Sequence, residues 1–251
     1  MASTSLTASY TGYSRPASNT AWTATTGSSE WYVGNNSGTV YCGRVEFVTP
    51  ADVDSGTALS ITVVCSQTSN PGYTRAYLCA ASLTSTQCQS ISTLQSQAGY
   101  IGILKNTLNS GNQSAGTSIT YTYDGSLSLS PSTTYYIYFL RNGASYNGFC
   151  AFRPNPTLSL TYTVRQCTLT ITGDSGVDSV TGSGSYPYGA TATTAATAKT
   201  GYHLTHYSGT NASGTGTSTW SGCSGLTSHT DRCPSIWMWR TKSSWRWGSG
   251  C

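Results

Sequence analysis

The chain is written in short runs of alternating apolar and polar side chains, each cut off by Pro, Gly, Asn or Asp. Thr157-Leu-Ser-Leu-Thr-Tyr-Thr-Val164 alternates without a break. A β-strand turns successive side chains to opposite faces, so such a run has one face to bury and one to leave in water. Tyr41-Cys-Gly-Arg-Val-Glu-Phe-Val48 and Leu59-Ser-Ile-Thr-Val-Val-Cys65 read the same way. So do residues 73–81, Ile101-Gly-Ile-Leu104, Ser118-Ile-Thr-Tyr-Thr-Tyr123 and Leu127-Ser-Leu129. Thr134-Tyr-Tyr-Ile-Tyr-Phe-Leu140 is the most β-prone run, being almost wholly aromatic or branched. Loops are expected at residues 49–56 and at Asn70-Pro-Gly72, with a break at Pro131. No amphipathic helix of useful length is visible. The chain is therefore expected to be all-β. Seven or eight strands over residues 41–165 predict an antiparallel β-sandwich, with jelly-roll topology preferred.

Only 8% of residues are charged, against about 25% in ordinary soluble proteins. The polar surface must come from Ser, Thr, Asn, Gly and Tyr, a composition suited to secreted β-proteins and to viral fibres and shells. Disorder does not fit a chain that is 37% hydrophobic and 12% aromatic. The net charge is +4, and Arg232, Arg240, Lys242 and Arg246 crowd the end of the chain. Four local cations are too few to make a nucleic-acid-binding protein, so no nucleic-acid partner is expected. No apolar run approaches the ~18 residues of a membrane span. Met1-Ala-Ser-Thr-Ser has neither the basic nor the apolar region of a secretory leader. The expectation drawn from this is assembly in a host cytoplasm and release by lysis, as for virion proteins.

The residues that carry chemistry form no recognisable constellation. Glu46, Asp52 and Asp54 fall close together, as a glycosidase pair or a Ca²⁺ site would require. Turn chemistry, in which Asp bonds its own backbone, explains them more simply. His203 and His206 could join Cys223 and Cys233 in a mixed metal site, but the spacings match no metal motif. No Gly-x-Ser-x-Gly elbow occurs in a strand-turn-helix context, and no phosphate-binding loop is present. Catalytic residues, metal ligands and cofactors are accordingly not expected. The nine cysteines include Cys42, Cys65, Cys79 and Cys150 within strand patterns, where buried reduced thiols are expected. Cys223, Cys233 and Cys251 are better placed for bridges.

Two segments resemble known families. Leu129-Ser-Pro-Ser-Thr-Thr-Tyr-Tyr-Ile-Tyr-Phe139 is similar to a run near the penultimate strand of sandwich modules in phage tail proteins and carbohydrate-binding domains. There the Pro and the turn polars shape a corner and the aromatic strand enters the core. Residues 168–209 begin with Leu169 and Ile171 in alternation, then a Gly173-Asp174-Ser-Gly176 turn, Val177 and Val180, and Gly182-Ser-Gly184. Tyr186, Tyr188 and Gly189 follow, then an Ala/Thr run and Gly201-Tyr202. This order resembles the InlB-type B-repeat, a small β-rich module of bacterial surface proteins and bacteriophage structural proteins. Tyr207 stands where that family places a tryptophan. The family continues with further alternating strands, whereas here residues 210–219 are a Gly/Ser/Thr loop followed by a Trp/Arg tail. The division implied is a lead-in or docking segment at 1–40, a β-sandwich at 41–165, and a B-repeat-like domain with the tail at 166–251.

In the tail, Ile236-Trp-Met-Trp-Arg-Thr-Lys-Ser-Ser-Trp-Arg-Trp247 reads as two short strands about a polar turn. Period-2 geometry would gather Trp237, Trp239, Trp245 and Trp247 across a hairpin. With Tyr207, these are the candidate ligand-binding residues, since Tyr and Trp offer stiff, amphipathic area on which sugar rings stack. An oligomer interface or core packing ranks ahead of an exposed patch, and sequence drift is the third alternative. The function expected is that of a non-enzymatic phage virion structural protein, a head or tail fibre or a capsid decoration. It would associate with other virion proteins and with itself as a homo-oligomer, and attach to bacterial surface glycans. A bacterial cell-surface adhesin is the alternative, and a carbohydrate-active enzyme the remotest.

Overall fold

The computed structural model describes residues 2–15, 19–25, 29–36, 39–69, 74–106, 114–123, 125–141, 148–209, 217–219, 226–232, 240–241 and 244–245. The chain is all-β, and it divides into two compact units, Met1–Thr163 and Val164–Cys251.

In the first unit the strands are β1 (Ala2–Leu6), β2 (Ala8–Arg15), β3 (Asn19–Ala24), β4 (Trp31–Asn36), β5 (Thr39–Val48) and β6 (Val53–Ser69). They continue with β7 (Thr74–Cys79), β8 (Tyr100–Asn106), β9 (Ser118–Tyr123), β10 (Thr134–Arg141), β11 (Gly148–Phe152) and β12 (Thr157–Val164). Strands β4 to β11 close into an eight-stranded antiparallel barrel in the order β6-β11-β4-β5-β10-β7-β8-β9, with β9 returning to β6. Four of its ladders are concentric in the sequence: β7 with β8, β6 with β9, β5 with β10, and β4 with β11. The remaining strands extend the sheet, β12 and β1 beyond β6, and β2 and β3 beyond β5. Residues 1–40, set apart in the sequence reading, thus contribute four strands to this unit.

Alternation places the strands as expected. In β12 the buried residues are Leu158, Leu160 and Tyr162, and in β9 they are Ile119 and Tyr121. The strand β6 is longer than its apolar run because it serves three partners, β12, β11 and β9. Leu59 to Val64 pair with β9, and Cys65 to Ser69 pair with β11, whose ladder shifts register between Ala151 and Phe152. It begins at Val53, which is buried, so the expected 49–56 loop is shorter than its composition suggested. Thr49 is the anchor of that corner. Its hydroxyl donates to the Ser130 carbonyl at 2.6 Å and accepts from the Thr133 amide at 3.0 Å. Leu127 forms only an isolated bridge with Gly56, not a strand. The expected turn at residues 70–72 lies outside the described residues.

Trp31 is at the centre of the barrel. It is fully buried, packs edge-on to Phe139 at 5.0 Å and against Phe152 at 4.7 Å, and donates its indole N–H to the Arg153 carbonyl at 2.9 Å. Gly43 is required beside it, because a Cβ there would lie 2.5 Å from the indole ring. A second cluster holds Cys42, Tyr77, Cys79, Leu83, Cys88, Leu94, Tyr138 and Leu140. It is roofed by the Ser/Thr/Gln-rich connection after β7, which folds as a 3₁₀ turn (Thr86–Cys88) and the one-turn helix α1 (Ile91–Gln95). Ser90 caps α1 by accepting from the Thr93 amide at 3.1 Å.

The second unit contains β13 (Gln166–Leu169), β14 (Ile171–Gly173), β15 (Val177–Thr181), β16 (Gly184–Pro187), β17 (Thr191–Thr193) and β18 (Ala195–Ala198). They are followed by β19 (Tyr202–Gly209), β20 (Thr217–Thr219), β21 (Leu226–Arg232), β22 (Arg240–Thr241) and β23 (Ser244–Trp245). These make small sheets: β13 with β16, β15 with β18, β17 with β20, β22 with β23, and a three-stranded β14-β21-β19. Cys167, Leu169, Ile171 and Ala192 form the core, with Val180, Tyr186 and Tyr188 packed on it. The Gly/Asp turn is an Asx turn, Asp174 Oδ1 accepting from the Gly176 amide at 2.9 Å. One expectation is corrected: β20 lies within residues 210–219, read as a loop, and β21 lies between that run and the tail hairpin. The polar run of β21 has no apolar alternation, and its conformation is set by partners on both sides, β19 antiparallel and β14 parallel.

Candidate functional site

The tail residues are placed only in part. Arg240 pairs with Trp245 and Thr241 with Ser244, so β22 and β23 form an antiparallel pair. Trp237, Trp239 and Trp247 lie outside the described residues, and only the backbone of Trp245 is described. Tyr207 is on β19 opposite Ser228, again with only its backbone described.

The acids considered at residues 46–54 are taken up separately. Glu46 forms an ion pair with Arg44. Asp52 accepts from the Tyr162 hydroxyl at 3.1 and 3.2 Å, and burial followed by this bond raises the Tyr162 phenol above its ordinary pKa. Among the described residues no group of three or more His, Cys, Asp or Glu side chains is arranged to hold a metal ion. The thiols of Cys42, Cys65, Cys79, Cys88 and Cys150 are buried and unbridged, whereas Cys167 is in a disulfide. Burial alone pushes the Cys79 thiol up to about 12. Burial also raises Cys88, and a hydrogen bond with Cys65 followed by burial raises Cys150. A thiol held neutral is a poor nucleophile, so Cys79, Cys88 and Cys150 behave as core residues, while the hydrogen bond with Cys150 lowers the Cys65 thiol.

The Arg44 guanidinium is enclosed by rings, 5.2 Å from the Tyr10 centroid, 5.4 Å from Trp22 and 5.0 Å from Tyr136. Trp22 in turn donates to the Leu83 carbonyl at 3.0 Å. This arrangement fastens the β2–β3 hairpin to the barrel and leaves the cation engaged with structure.

The first unit also contains an open pocket of about 480 Å³, within the ~300–1,000 Å³ usual for small-ligand sites. Four segments build it: the end of β4, the start of β5, residues 88–95, and the end of β10. Its floor is apolar, with Cys42, Cys88 and Leu140. Tyr41 and Ile91 are half-buried in its wall, and Gln89, Ser92 and Gln95 are exposed at its rim. Arg141 is at one end, held by donation from a guanidinium N–H to the Gly148 carbonyl at 2.7 Å. That carbonyl also approaches Gly34, whose φ of +124° and 2.5 Å clearance for a Cβ admit only glycine. The Tyr41 ring belongs to an aromatic group with Tyr13 at 5.9 Å and Tyr32 at 5.6 Å, and Tyr32 in turn meets Phe149 at 5.8 Å. No carboxylate lines the pocket among the described residues.

No family model matches the chain, and no curated protein matches it.

The pocket was not legible in the sequence because its walls come from four segments brought together only by barrel closure. Two signals pointed towards it. The Ser/Thr/Gln-rich connection interrupts a series of strands, and Arg141 puts a charge directly after the most β-prone run in the chain.

Proposed function

We propose that this chain is a non-enzymatic structural protein of a bacteriophage virion, a fibre or capsid-decorating component that attaches to bacterial surface glycans. The observation that carries the reading is the concentric pairing of the eight barrel strands. Numbered one to eight from β4 to β11, they pair one with eight, two with seven, three with six and four with five. A long antiparallel ribbon rolled on itself gives this order, which supports reading the barrel as a jelly roll flattened into a sandwich. That architecture is common to viral capsid and lectin domains, although a fold by itself assigns no activity. The corner before β10 adds support for the likeness to sandwich modules. The Ser130 amide donates to the Tyr135 hydroxyl at 2.8 Å, and Tyr135, Ile137, Tyr138 and Phe139 enter the core.

The second unit is read as a B-repeat-like spacer. Its Asx turn, the aromatic corner at Tyr186 and Tyr188, and the left-handed glycines at 182, 189 and 201 support that reading. The scarcity of charge and the abundance of Tyr and Trp favour a protein that works by contact over one that works by proton transfer. Self-association is expected, because fibres and decorations follow particle symmetry.

Mass spectrometry of purified phage particles tests the location, and the polypeptide is expected among the virion proteins. Its absence from particles whose genome encodes it would overturn the reading. Binding of the assembled full chain to a bacterial glycan array tests the attachment role, with retention of specific glycans expected.

A further inference from the structure

We propose that Cys65 and Cys150 form a disulfide when the folded chain meets an oxidant, and that this bridge locks β6 to β11. The inference goes beyond the attachment reading and does not depend on it.

The strand register brings the two thiols together. On the β6–β11 ladder Cys150 is opposite Thr68 and Ala151 is opposite Gln67, but Phe152 is opposite Cys65. A regular ladder would put Cys65 opposite Arg153, on the other face of the sheet from Cys150. The register shift between Ala151 and Phe152 passes over Ser66 and turns Cys65 to the face that Cys150 shares with Phe152. The two cysteines are thereby diagonal neighbours across the ladder. Both are buried there, Cys65 at 0% and Cys150 at 1% exposure. The Cys150 thiol is hydrogen-bonded to the Cys65 sulfur, and Cys65 also donates to the Gln67 carbonyl at 3.5 Å.

The pair is chemically asymmetric. The hydrogen bond from Cys150 lowers the Cys65 thiol below its ordinary pKa, and the same bond followed by burial raises Cys150. Cys65 is therefore the thiol that ionises and attacks, and Cys150 the one that completes the bridge. Cys79 and Cys88 in the second cluster are raised chiefly by burial and are not activated in this way. With a peroxide as oxidant, the Cys65 thiolate takes one oxygen and the O–O bond breaks. A sulfenic acid forms, and the hydroxide released takes up the Cys65 proton as water. Cys150 then attacks the Cys65 sulfur, so that the S–S bond forms as the S–O bond breaks. The second hydroxide leaves with the Cys150 proton, also as water. Two thiols and one hydrogen peroxide thus give one disulfide and two waters. The interrupted ladder beside the pair gives a small neutral oxidant its route in, by local opening.

The bridge would close the loop from residue 65 to residue 150, which holds β7 to β10. Closing a long loop restricts the unfolded chain, so the oxidised barrel should resist unfolding more than the reduced one.

The test treats the full chain with hydrogen peroxide and then alkylates it in urea without reductant. Peptide mapping by mass spectrometry is expected to find Cys65 and Cys150 separately alkylated before treatment and joined in one cross-linked peptide after it. The urea midpoint should rise on treatment of the unaltered chain and stay constant in Cys65→Ala, which should also lack the cross-link. The peptide map of the unaltered chain decides the matter even where that variant fails to fold. Cys65 and Cys150 still separately alkylated after treatment, Cys65 joined to another cysteine, or a cross-link that leaves the midpoint unchanged overturns the proposal.

Discussion

The close approach of Gly43 to Trp31 permits a quantitative test of the barrel interior. Gly43 is on β5 opposite Phe139, in extended backbone that alanine adopts without strain. A Cβ there would stand 2.5 and 2.7 Å from two carbons of the Trp31 ring and 3.0 Å from a Val33 methyl. The ring cannot retreat, since it is fully buried between Phe139 and Phe152 and tied to the Arg153 carbonyl. Gly43→Ala should therefore cost about 1–3 kcal/mol, as other overpacking changes do. Trp31→Ala should cost about 3–5 kcal/mol by cavity formation. In the double variant both ring contacts are gone and only the Val33 methyl remains, so the new methyl enters vacated space. The double variant should then be more stable than the sum of the single changes predicts, by about 1–2 kcal/mol. Urea unfolding followed by far-UV circular dichroism measures this as shifts in midpoint at constant slope. Additivity within about 0.5 kcal/mol would show that the two sites are not in contact and refute the packing described.

Tyr138→Phe removes a buried hydroxyl that accepts from the Leu83 amide at 2.6 Å; a loss of about 1–3 kcal/mol is expected for the orphaned amide, and an unchanged urea midpoint would contradict it. Stability should fall as pH rises from about 9 towards 12, because the unfolded chain ionises its thiols near pH 8.5–9 while Cys79 stays protonated to about 12 in the fold. The raised pKa means the folded state holds the proton longer, so the contribution is complete below pH 9 and lost above it; Cys79→Ala should flatten that slope in a pH series of urea midpoints. Adding Ca²⁺ or EDTA should leave the melting temperature unchanged, because Asp52 is bonded to Tyr162 and Glu46 to Arg44; a calcium-dependent rise would show that these carboxylates rearrange around a cation.

The strands that could be read from the sequence are those whose pattern is set by a single face. Residues 118–123 and 157–164 match β9 and β12 throughout, because each buries alternate side chains against one layer. Strands with two duties were harder to delimit. Val53 to Gly56 extend β6 into what looked like a loop, since backbone pairing there outweighs the Asp and Gly content. Strand β11, Gly-Phe-Cys-Ala-Phe, was not singled out, as it is short and buried almost throughout and so has no alternation. Trp31 is conspicuous in the sequence only as a large apolar residue, and its central place depends on partners more than a hundred residues away. The same holds for the pocket, whose polar residues look like ordinary loop composition until β4, β5 and β10 bring them together.

The concentric ladders also order the birth of the barrel. Strands β7 and β8 can meet as soon as residue 104 has emerged from the ribosome, since Ala76 pairs with Leu104. Each further ladder spans a longer loop, and the last, β4 with β11, waits for Phe152 to reach Trp31. Long-range closures of this kind carry the largest entropy cost and make folding slow. Until then Trp31 lacks Phe152, and the edge of β4 that faces β11 is unpaired, while β5 covers its other edge. The nascent chain is thus most exposed to aggregation in the interval between translation of residues 31 and 152, and expression at low temperature or with a holding chaperone should improve its yield more than any change made in the second unit.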